Sequence, residues 1–301
     1  NDYEYTPKQE NQYRIIAPVF FDSFNRAYPS AGTLELTGLV NSYASTPDAA
    51  ALDIVGDIDL SADLTLDAWT GSQKGIIGKW NTGTNQRSYL LTLESSGRLR
   101  MLWSADGVAS PSLTSNVAVP LSSGRLSVRA TLDVNNGAGR RTATFYTAPG
   151  GTSLEGPWIQ LGDPQTGSGT TSIFSGSAVL EVGSWNSGGS GKFVGQLHAA
   201  RVRNGIAGAF AANPFFSSQS PGTTSFADST GKTWTVQAGA SIVSIAPVPG
   251  LSWGTADTGQ FWNLGDSSPN YRAWVDNGVG VVRSTAPAGH ILEQLTDAIP
   301  G

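Results

Sequence analysis

Tryptophan is the residue type in this sequence that is best suited to binding chemistry. The chain contains nine tryptophans in 301 residues, and an indole offers a flat apolar face on which a sugar ring can stack. Trp185 stands in the polar loop segment Gly183-Ser-Trp-Asn-Ser-Gly-Gly-Ser-Gly191, where it has little local core to join. The predicted carbohydrate-binding residues are Trp185, its neighbour Asn186, and two tryptophans at or near strand ends, Trp80 and Trp103. A place in the core is the competing interpretation for any single tryptophan, and it is preferred for Trp69, Trp158 and Trp234.

The sequence contains few of the residues that usually bind metals or act as nucleophiles. The chain has no cysteine, which removes disulfides, thiolate metal sites and cysteine nucleophiles, and its two histidines are His198 and His290. His198 falls in a strand pattern, where a structural histidine is preferred over a member of a catalytic triad. Four aspartates lie close together in the sequence, Asp53, Asp57, Asp59 and Asp63, and Asp106 stands in a predicted turn. They lack EF-hand spacing and are interpreted as solvated loop acids, with a calcium site as the alternative; no cofactor is predicted.

Strands must position these side chains, because period-two alternation runs through most of the chain. Within residues 126–134 every second residue is apolar, which predicts a half-buried antiparallel strand that turns at Asn135-Asn136-Gly137 and returns from Arg141. A short helical turn is predicted over residues 205–212. Further strands are predicted at 64–69, 76–80, 88–94, 98–103, 178–184, 193–202 and 233–236. Many short antiparallel strands indicate an all-β sandwich.

Both ends of the chain carry strand patterns that are too small to form a core alone. Residues 1–18 are interpreted as the end of an upstream β domain, whose single strand should pair with a sheet outside residues 20–245. The sandwich is assigned to residues 19–245, a proline-containing linker to 246–252, and the start of a second β-sandwich module to 253–301, with a helical turn at 290–299. The chain begins at Asn1 and its single methionine is Met101, so we expect a processed chain or a piece of a longer one.

The charge balance argues against two classes of partner. The chain has 18 basic and 23 acidic residues, a formal net charge of −5, and 14% charged residues. Nucleic acid is not expected as a partner, because binding to the phosphate backbone needs a concentration of lysine and arginine. Membrane insertion is not expected either, because no apolar run approaches the roughly 20 residues of a membrane-spanning helix.

Three segments resemble the laminin-G, concanavalin-A-like jelly roll. Residues 43–60 resemble its opening strand, 78–107 its central hairpin and 180–205 its closing strands. With residues 226–236, they are similar to minor tail proteins of siphophages that infect actinobacteria. The resemblance implies an antiparallel jelly-roll β-sandwich (laminin-G-like) flanked by partial β domains at both ends. It also implies a virion protein at the tail tip that forms a three- or six-fold homo-oligomer with other tail and baseplate proteins as partners.

The same superfamily includes glycoside hydrolases, whose Glu-x-Asp-x-x-Glu strand places two carboxylates on one sheet face. The nearest match begins at Glu181, but Gly183 stands where the aspartate is needed and no second glutamate follows. The protein is therefore predicted not to be an enzyme, and Glu181 is interpreted as an exposed strand residue. The predicted function is a siphophage minor tail or baseplate component whose lectin-like module attaches to a host cell-envelope glycan. The alternative is a carbohydrate-binding module of a secreted bacterial glycan-active enzyme.

Overall fold

The computed structural model describes residues 32–151 and 154–244, together with the backbone of five short strands nearer the chain ends. The strands belong to two compact units, Pro29–Ser244 and a second unit made of Asn1–Tyr28 and Ile245–Gly301. In chain order they are β1 (Gln12–Ile15), β2 (Gly32–Thr37), β3 (Ala44–Thr46), β4 (Ile58–Leu66), β5 (Lys74–Asn81), β6 (Gln86–Leu93), β7 (Arg98–Trp103), β8 (Ser112–Ala118), β9 (Gly124–Asp133), β10 (Arg140–Pro149), β11 (Ile159–Gln160), β12 (Gln165–Ser168), β13 (Leu180–Val182), β14 (Val194–Asn204), β15 (Ala209–Ala212), β16 (Ser225–Ala227), β17 (Thr233–Val236), β18 (Ala240–Ser244), β19 (Leu251–Trp253), β20 (Trp262–Leu264), β21 (Tyr271–Asp276) and β22 (Val279–Ser284). Within the described residues, helical structure is limited to two 3-10 turns, at Ala50–Leu52 and Phe216–Ser218.

The larger unit is an antiparallel jelly-roll β-sandwich, which confirms the predicted fold class. Its nine-stranded sheet has the order β11-β10-β9-β4-β14-β2-β18, with β12 paired to β10 and β15 paired to β14. Its eight-stranded sheet has the order β16-β17-β3-β13-β5-β6-β7-β8. Neighbouring strands in both sheets are often distant in sequence, as β14 and β2 are. The sheets therefore form only when segments from the whole unit pair with one another.

One apolar core lies between the two sheets. In β9, Leu126, Val128, Ala130 and Leu132 are buried in this core, as the alternation predicts. Ile77, Leu91 and Met101 face it from the eight-stranded sheet. Burying each large aliphatic side chain of this kind contributes roughly 1.5–3 kcal/mol. The residues between them on each strand therefore point to the outer faces, where the candidate sites lie.

Two local predictions differ from the structure. The segment 205–212, predicted as a helical turn, ends in β15, because its residues 209–212 pair with β14 across a hairpin. The turn after β9 spans residues 134–139, longer than the predicted Asn135-Asn136-Gly137, and β10 begins at Arg140. The strand at 126–134 and its partner are otherwise where the alternation places them.

The smaller unit is a five-stranded antiparallel sheet in the order β1-β22-β21-β20-β19. β1 pairs with β22, which places Tyr13 opposite Val282, so the strands predicted at the two ends of the chain share one sheet. Within the segment predicted as a second β module, residues 271–276 and 279–284 form β21 and β22. The helical turn predicted at 290–299 lies outside the described residues, and the predicted domain boundaries stay predictions.

In the part of the chain that the structure describes, no helix has the length and apolar character needed to cross a membrane.

Candidate functional site

The predicted binding loop connects β13 of the eight-stranded sheet to β14 of the nine-stranded sheet. Trp185 and Ser190 exchange two backbone hydrogen bonds of 3.0 Å, which closes a tight loop between them. Asn186 and Ser187 both adopt the left-handed conformation, with φ of 60° and 54°. Short polar side chains tolerate this conformation better than bulky ones do. The polar composition of this loop is therefore a requirement of its backbone as well as a source of hydrogen-bonding groups.

The Trp185 indole rests on two glycines. A Cβ atom added at Gly75 would lie 2.6 Å from Cε3 of Trp185, and one added at Gly191 would lie 1.8 Å from its Cζ3. The backbone N–H of Gly75 also donates to the Gly191 carbonyl at 2.8 Å. Only glycine leaves room for the ring at these two positions, so the strand and the loop together form a flat seat for the indole.

Trp185 packs on a small apolar cluster that is separate from the core between the sheets. Its buried members are Trp80, Leu90 and Leu102, which are 3%, 1% and 8% exposed, and Trp185 is the partly buried member. Leu90 and Leu102 lie opposite each other on β6 and β7, between neighbours that face the core. The cluster therefore sits on the outer face of the eight-stranded sheet, and Trp185 is the ring that it presents at the surface.

Asn186 positions the loop. Its Oδ1 accepts hydrogen bonds from the Thr82 backbone N–H at 2.7 Å and from the Thr82 hydroxyl at 3.2 Å, and its Nδ2 donates to the Ser190 hydroxyl at 3.2 Å. These bonds fasten the loop to the turn between β5 and β6. The Asn186 amide is therefore already engaged within the protein, and the contribution of Asn186 to binding stays a prediction.

Glu181 is buried and not exposed, which corrects its interpretation as an exposed strand residue. It is 1% exposed, and its carboxylate accepts hydrogen bonds from the Ser187 N–H at 2.6 Å, the Gly188 N–H at 3.0 Å and the Ser184 hydroxyl at 3.0 Å. Burial raises the pKa of Glu181, and these hydrogen bonds counter the rise by stabilising the charged form. The buried carboxylate is the internal anchor of the Trp185 loop. Strand alternation around Leu180 and Val182 gave no sign of it, since the covering loop is what buries Glu181.

The remaining tryptophans are divided between the core and the surface. Trp103 is fully buried in the core, and its Nε1 donates to the Thr171 hydroxyl at 2.9 Å. Its ring cannot stack on a ligand from there, so the binding role predicted for Trp103 is replaced by a core role. Trp80 is a buried member of the cluster on which Trp185 packs. Trp69 and Trp234 are buried as expected, whereas Trp158 is half-buried on the outer face of the nine-stranded sheet.

The aspartates interpreted as solvated loop acids are mostly structural. Asp59 and Asp63 are 3% and 2% exposed, which corrects that interpretation for both. Three of the aspartates pair with cations: Asp53 with Lys79, Asp59 with Arg129, and Asp63 with Arg125. Asp106 accepts hydrogen bonds from two backbone N–H groups and a serine hydroxyl, which lower its pKa. Among the described residues, no group of three or more histidine, aspartate or glutamate side chains is arranged to hold a metal ion.

Fold and site together define an all-β jelly-roll sandwich with a loop-borne tryptophan on one outer face. The sequence matches no protein-family model and no curated protein. Solved structures with a similar fold include a sialidase carbohydrate-binding module, Ruminococcus gnavus IT-sialidase CBM40 bound to α2,6-sialyllactose, at 12% identity and a TM-score of 0.40, covering 58% of this chain and 91% of that one. A heptameric pentraxin from Limulus polyphemus is 12% identical, with a TM-score of 0.37 and coverage of 59% and 77%. The leech intramolecular trans-sialidase is 14% identical, with a TM-score of 0.39 and coverage of 58% and 26%.

Proposed function

We propose that the sandwich is a non-catalytic carbohydrate-binding module and that Trp185 is the centre of its binding surface. The observation that carries this proposal is the fixed and partly exposed Trp185 indole, which lies on Gly75 and Gly191 above a buried apolar cluster. A ring that is already held in place loses little conformational freedom when a ligand stacks on it, which favours binding. Serine hydroxyls of the loop supply hydrogen-bonding groups around the ring.

Two features of the same loop support binding without hydrolysis. Glycoside hydrolysis needs two carboxyl groups on either side of the scissile bond. The Glu181 carboxylate is buried beneath the loop, and both of its oxygens accept hydrogen bonds from the protein. Gly183 occupies the position where the hydrolase strand carries its aspartate. The proposed role of Glu181 is therefore to hold the loop that presents Trp185.

We further propose that a siphophage carries this module at its tail tip, as a minor tail or baseplate component that contacts other tail proteins. The resemblance of residues 43–60, 78–107 and 180–205 to actinobacteriophage minor tail proteins supports this assignment. A stacking site with few hydrogen bonds has an affinity of about millimolar to micromolar. A three- or six-fold homo-oligomer would raise the overall affinity for a host cell-envelope glycan through effective concentration. The same surface would also suit a module of a secreted glycan-active enzyme.

The binding proposal is tested with Trp185→Ala and Trp185→Phe against a panel of bacterial cell-envelope polysaccharides. We expect at least one polysaccharide to bind, with a loss of about tenfold or more for alanine, corresponding to about 1.4 kcal/mol, and a smaller loss for phenylalanine. Ile159→Ala is the matched control, because Ile159 is an apolar side chain, 66% exposed, in the other sheet. Unchanged binding by a folded Trp185→Ala protein, or no binding by the wild type, would refute the proposal.

Location tests the virion assignment separately. Antibodies against the chain should label the tail tips of purified particles in electron micrographs, with three- or six-fold symmetry in averaged images. Recovery of the chain from culture supernatant, covalently continuous with a glycan-active domain and absent from particles, would instead support the secreted-enzyme alternative.

A further inference from the structure

A second candidate site lies on the outer face of the nine-stranded sheet. The strand register defines the residues at its centre. Ser61 of β4 lies between Arg129 of β9 and Arg201 of β14. The next outward-facing residue of β4, Asp59, lies opposite Arg203 of β14. The residues between them, Leu60, Ala130 and Val202, face the core. Burial of those apolar residues therefore places three arginines on one small area of the outer face. We call it the arginine pocket; Trp158, Glu155 and Leu154 complete its wall.

Two of the arginines are held by the protein in fixed orientations. Arg129 makes a bidentate ion pair with Asp59: its Nε donates to Oδ1 at 2.9 Å and its Nη2 to Oδ2 at 2.7 Å. Its guanidinium carbon also lies 5.8 Å from the centre of the Trp158 ring. Arg201 donates to the Asn213 side chain at 3.0 Å and to the Leu154 carbonyl at 2.9 Å. These contacts fix the geometry of the pocket before any ligand enters it.

The pocket carries one positive charge in excess, since three arginines face the two carboxylates Asp59 and Glu155. Arg203 is half-buried, stacks 4.0 Å from the Phe210 ring centre and donates through Nη1 to the Gly208 carbonyl at 2.9 Å. No carboxylate among the described residues lies within salt-bridge distance of Arg203. A partly desolvated guanidinium without an anionic partner is a favourable position for an external anion.

Glu155 indicates which anion suits the pocket. Its Oε1 lies 3.0 Å from Nη2 of Arg201, and the Glu155 side chain is 66% exposed whereas that of Arg201 is 4% exposed. The protein thus already places a carboxylate against Arg201 at the mouth of the pocket. Because Glu155 is largely hydrated, it can return to water at little cost when another carboxylate takes its place.

We propose that the arginine pocket binds the carboxylate of an acidic sugar, with Arg203 and Arg201 pairing with the carboxylate and the half-buried Trp158 ring contacting the sugar. The pocket has a volume of about 170 Å³, below the roughly 300–1,000 Å³ of pockets for drug-sized ligands. It therefore accommodates a single acidic residue of a saccharide and not a longer segment. The site is on the opposite outer face from Trp185 and does not depend on the function proposed for that loop.

The test compares glucuronate with glucose, which differ only at carbon 6, by NMR titration of the full chain at low salt. We expect glucuronate to bind at about millimolar affinity and glucose to bind at least about tenfold more weakly, because it lacks the charge-assisted hydrogen bonds. Raising the salt concentration should weaken glucuronate binding. Equal binding of the two sugars, or tighter binding of glucose 6-phosphate than of glucuronate, would overturn the carboxylate assignment.

Variants locate the site. Arg203→Gln should weaken glucuronate binding about tenfold, and Glu155→Gln should strengthen it by removing the competing carboxylate. Arg98→Gln is the matched control, since it removes one positive charge from an exposed position in the other sheet. Trp185→Ala should also leave glucuronate binding unchanged, which separates this proposal from the Trp185 surface. A folded Arg203→Gln protein, verified by its thermal unfolding, that binds as the wild type does would refute the site. An equal loss in Arg98→Gln would refute it as well.

Discussion

Glu181→Gln tests whether a buried carboxylate holds the Trp185 loop. Glutamine keeps one acceptor oxygen and replaces the other with an NH₂ group, which cannot accept a hydrogen bond. The Ser187 N–H, which donates to one oxygen at 2.6 Å, or the two donors on the other oxygen at 3.0 Å then lose their acceptor. A buried donor without an acceptor costs about 1–3 kcal/mol.

Removing the charge also removes its burial penalty, which is the cause of the raised pKa of Glu181. We therefore expect a net loss of about 1–2 kcal/mol in the free energy of unfolding, toward the low end of that range for lost hydrogen bonds. Urea denaturation measures this loss, with Glu35→Gln as the control because Glu35 is exposed on β2. The Trp185 indole N–H resonance, assigned from Trp185→Phe, should shift and broaden in Glu181→Gln alone. If stability and this resonance both match the wild type, Glu181 is not the anchor of the loop.

Three further outcomes follow from the same contacts. Burial lowers the pKa of His198 to about 4, with Arg125 adding to the shift and Asp63 opposing it, so the unfolded chain binds the proton more readily. The free energy of unfolding should then fall by up to about 3 kcal/mol as the pH drops from 6.5 to 4, and His198→Gln should flatten that part of a pH series of urea denaturations. Asp59→Asn should lower the free energy of unfolding by about 3–5 kcal/mol, because the Arg129 charge loses its buried partner. Asp67→Asn, at an exposed position, should change it very little; equal losses in the two variants would contradict the ion-pair argument. Gly191→Ala should displace the Trp185 indole and lower the free energy of unfolding by about 1–3 kcal/mol, since alanine is strained at the φ of 64° that Gly191 adopts. An unchanged Trp185 indole resonance would contradict the packing of the ring on Gly191.

Alternation along single strands determined most of the sandwich. The apolar positions of β9 are buried, and β5, β6, β7 and β17 lie where the strand pattern predicts them. This works because side chains of a strand alternate between two faces, so a core on one face leaves a period of two in the sequence. The prediction for 205–212 is wrong because the strand character of this segment comes from pairing with β14, which its own short pattern does not encode.

The position of the Trp185 loop was partly predictable for a different reason. A tryptophan among glycine, serine and asparagine has no apolar neighbours in sequence, and this singled out Trp185 correctly as a surface ring. The binding role predicted for Trp103 rests instead on its place at a strand end, but Trp103 continues the core-facing alternation of β7 after Leu99 and Met101 and is buried. Position in the strand pattern, and not nearness to a strand end, separated the two tryptophans.

What covers the outer faces of the sheets depends on contacts between segments that are distant in sequence. The sequence predicts an exposed strand position for Glu181 and solvated loop positions for Asp59 and Asp63. The Trp185 loop covers Glu181, while Asp59 and Asp63 pair with arginines of β9, so all three carboxylates are buried. Alternation reports which face of a sheet a side chain occupies, whereas its exposure depends on loops and strands distant in sequence. The arginine pocket was hidden for the same reason, because strand pairing alone brings Arg129, Arg201 and Arg203 together around β4.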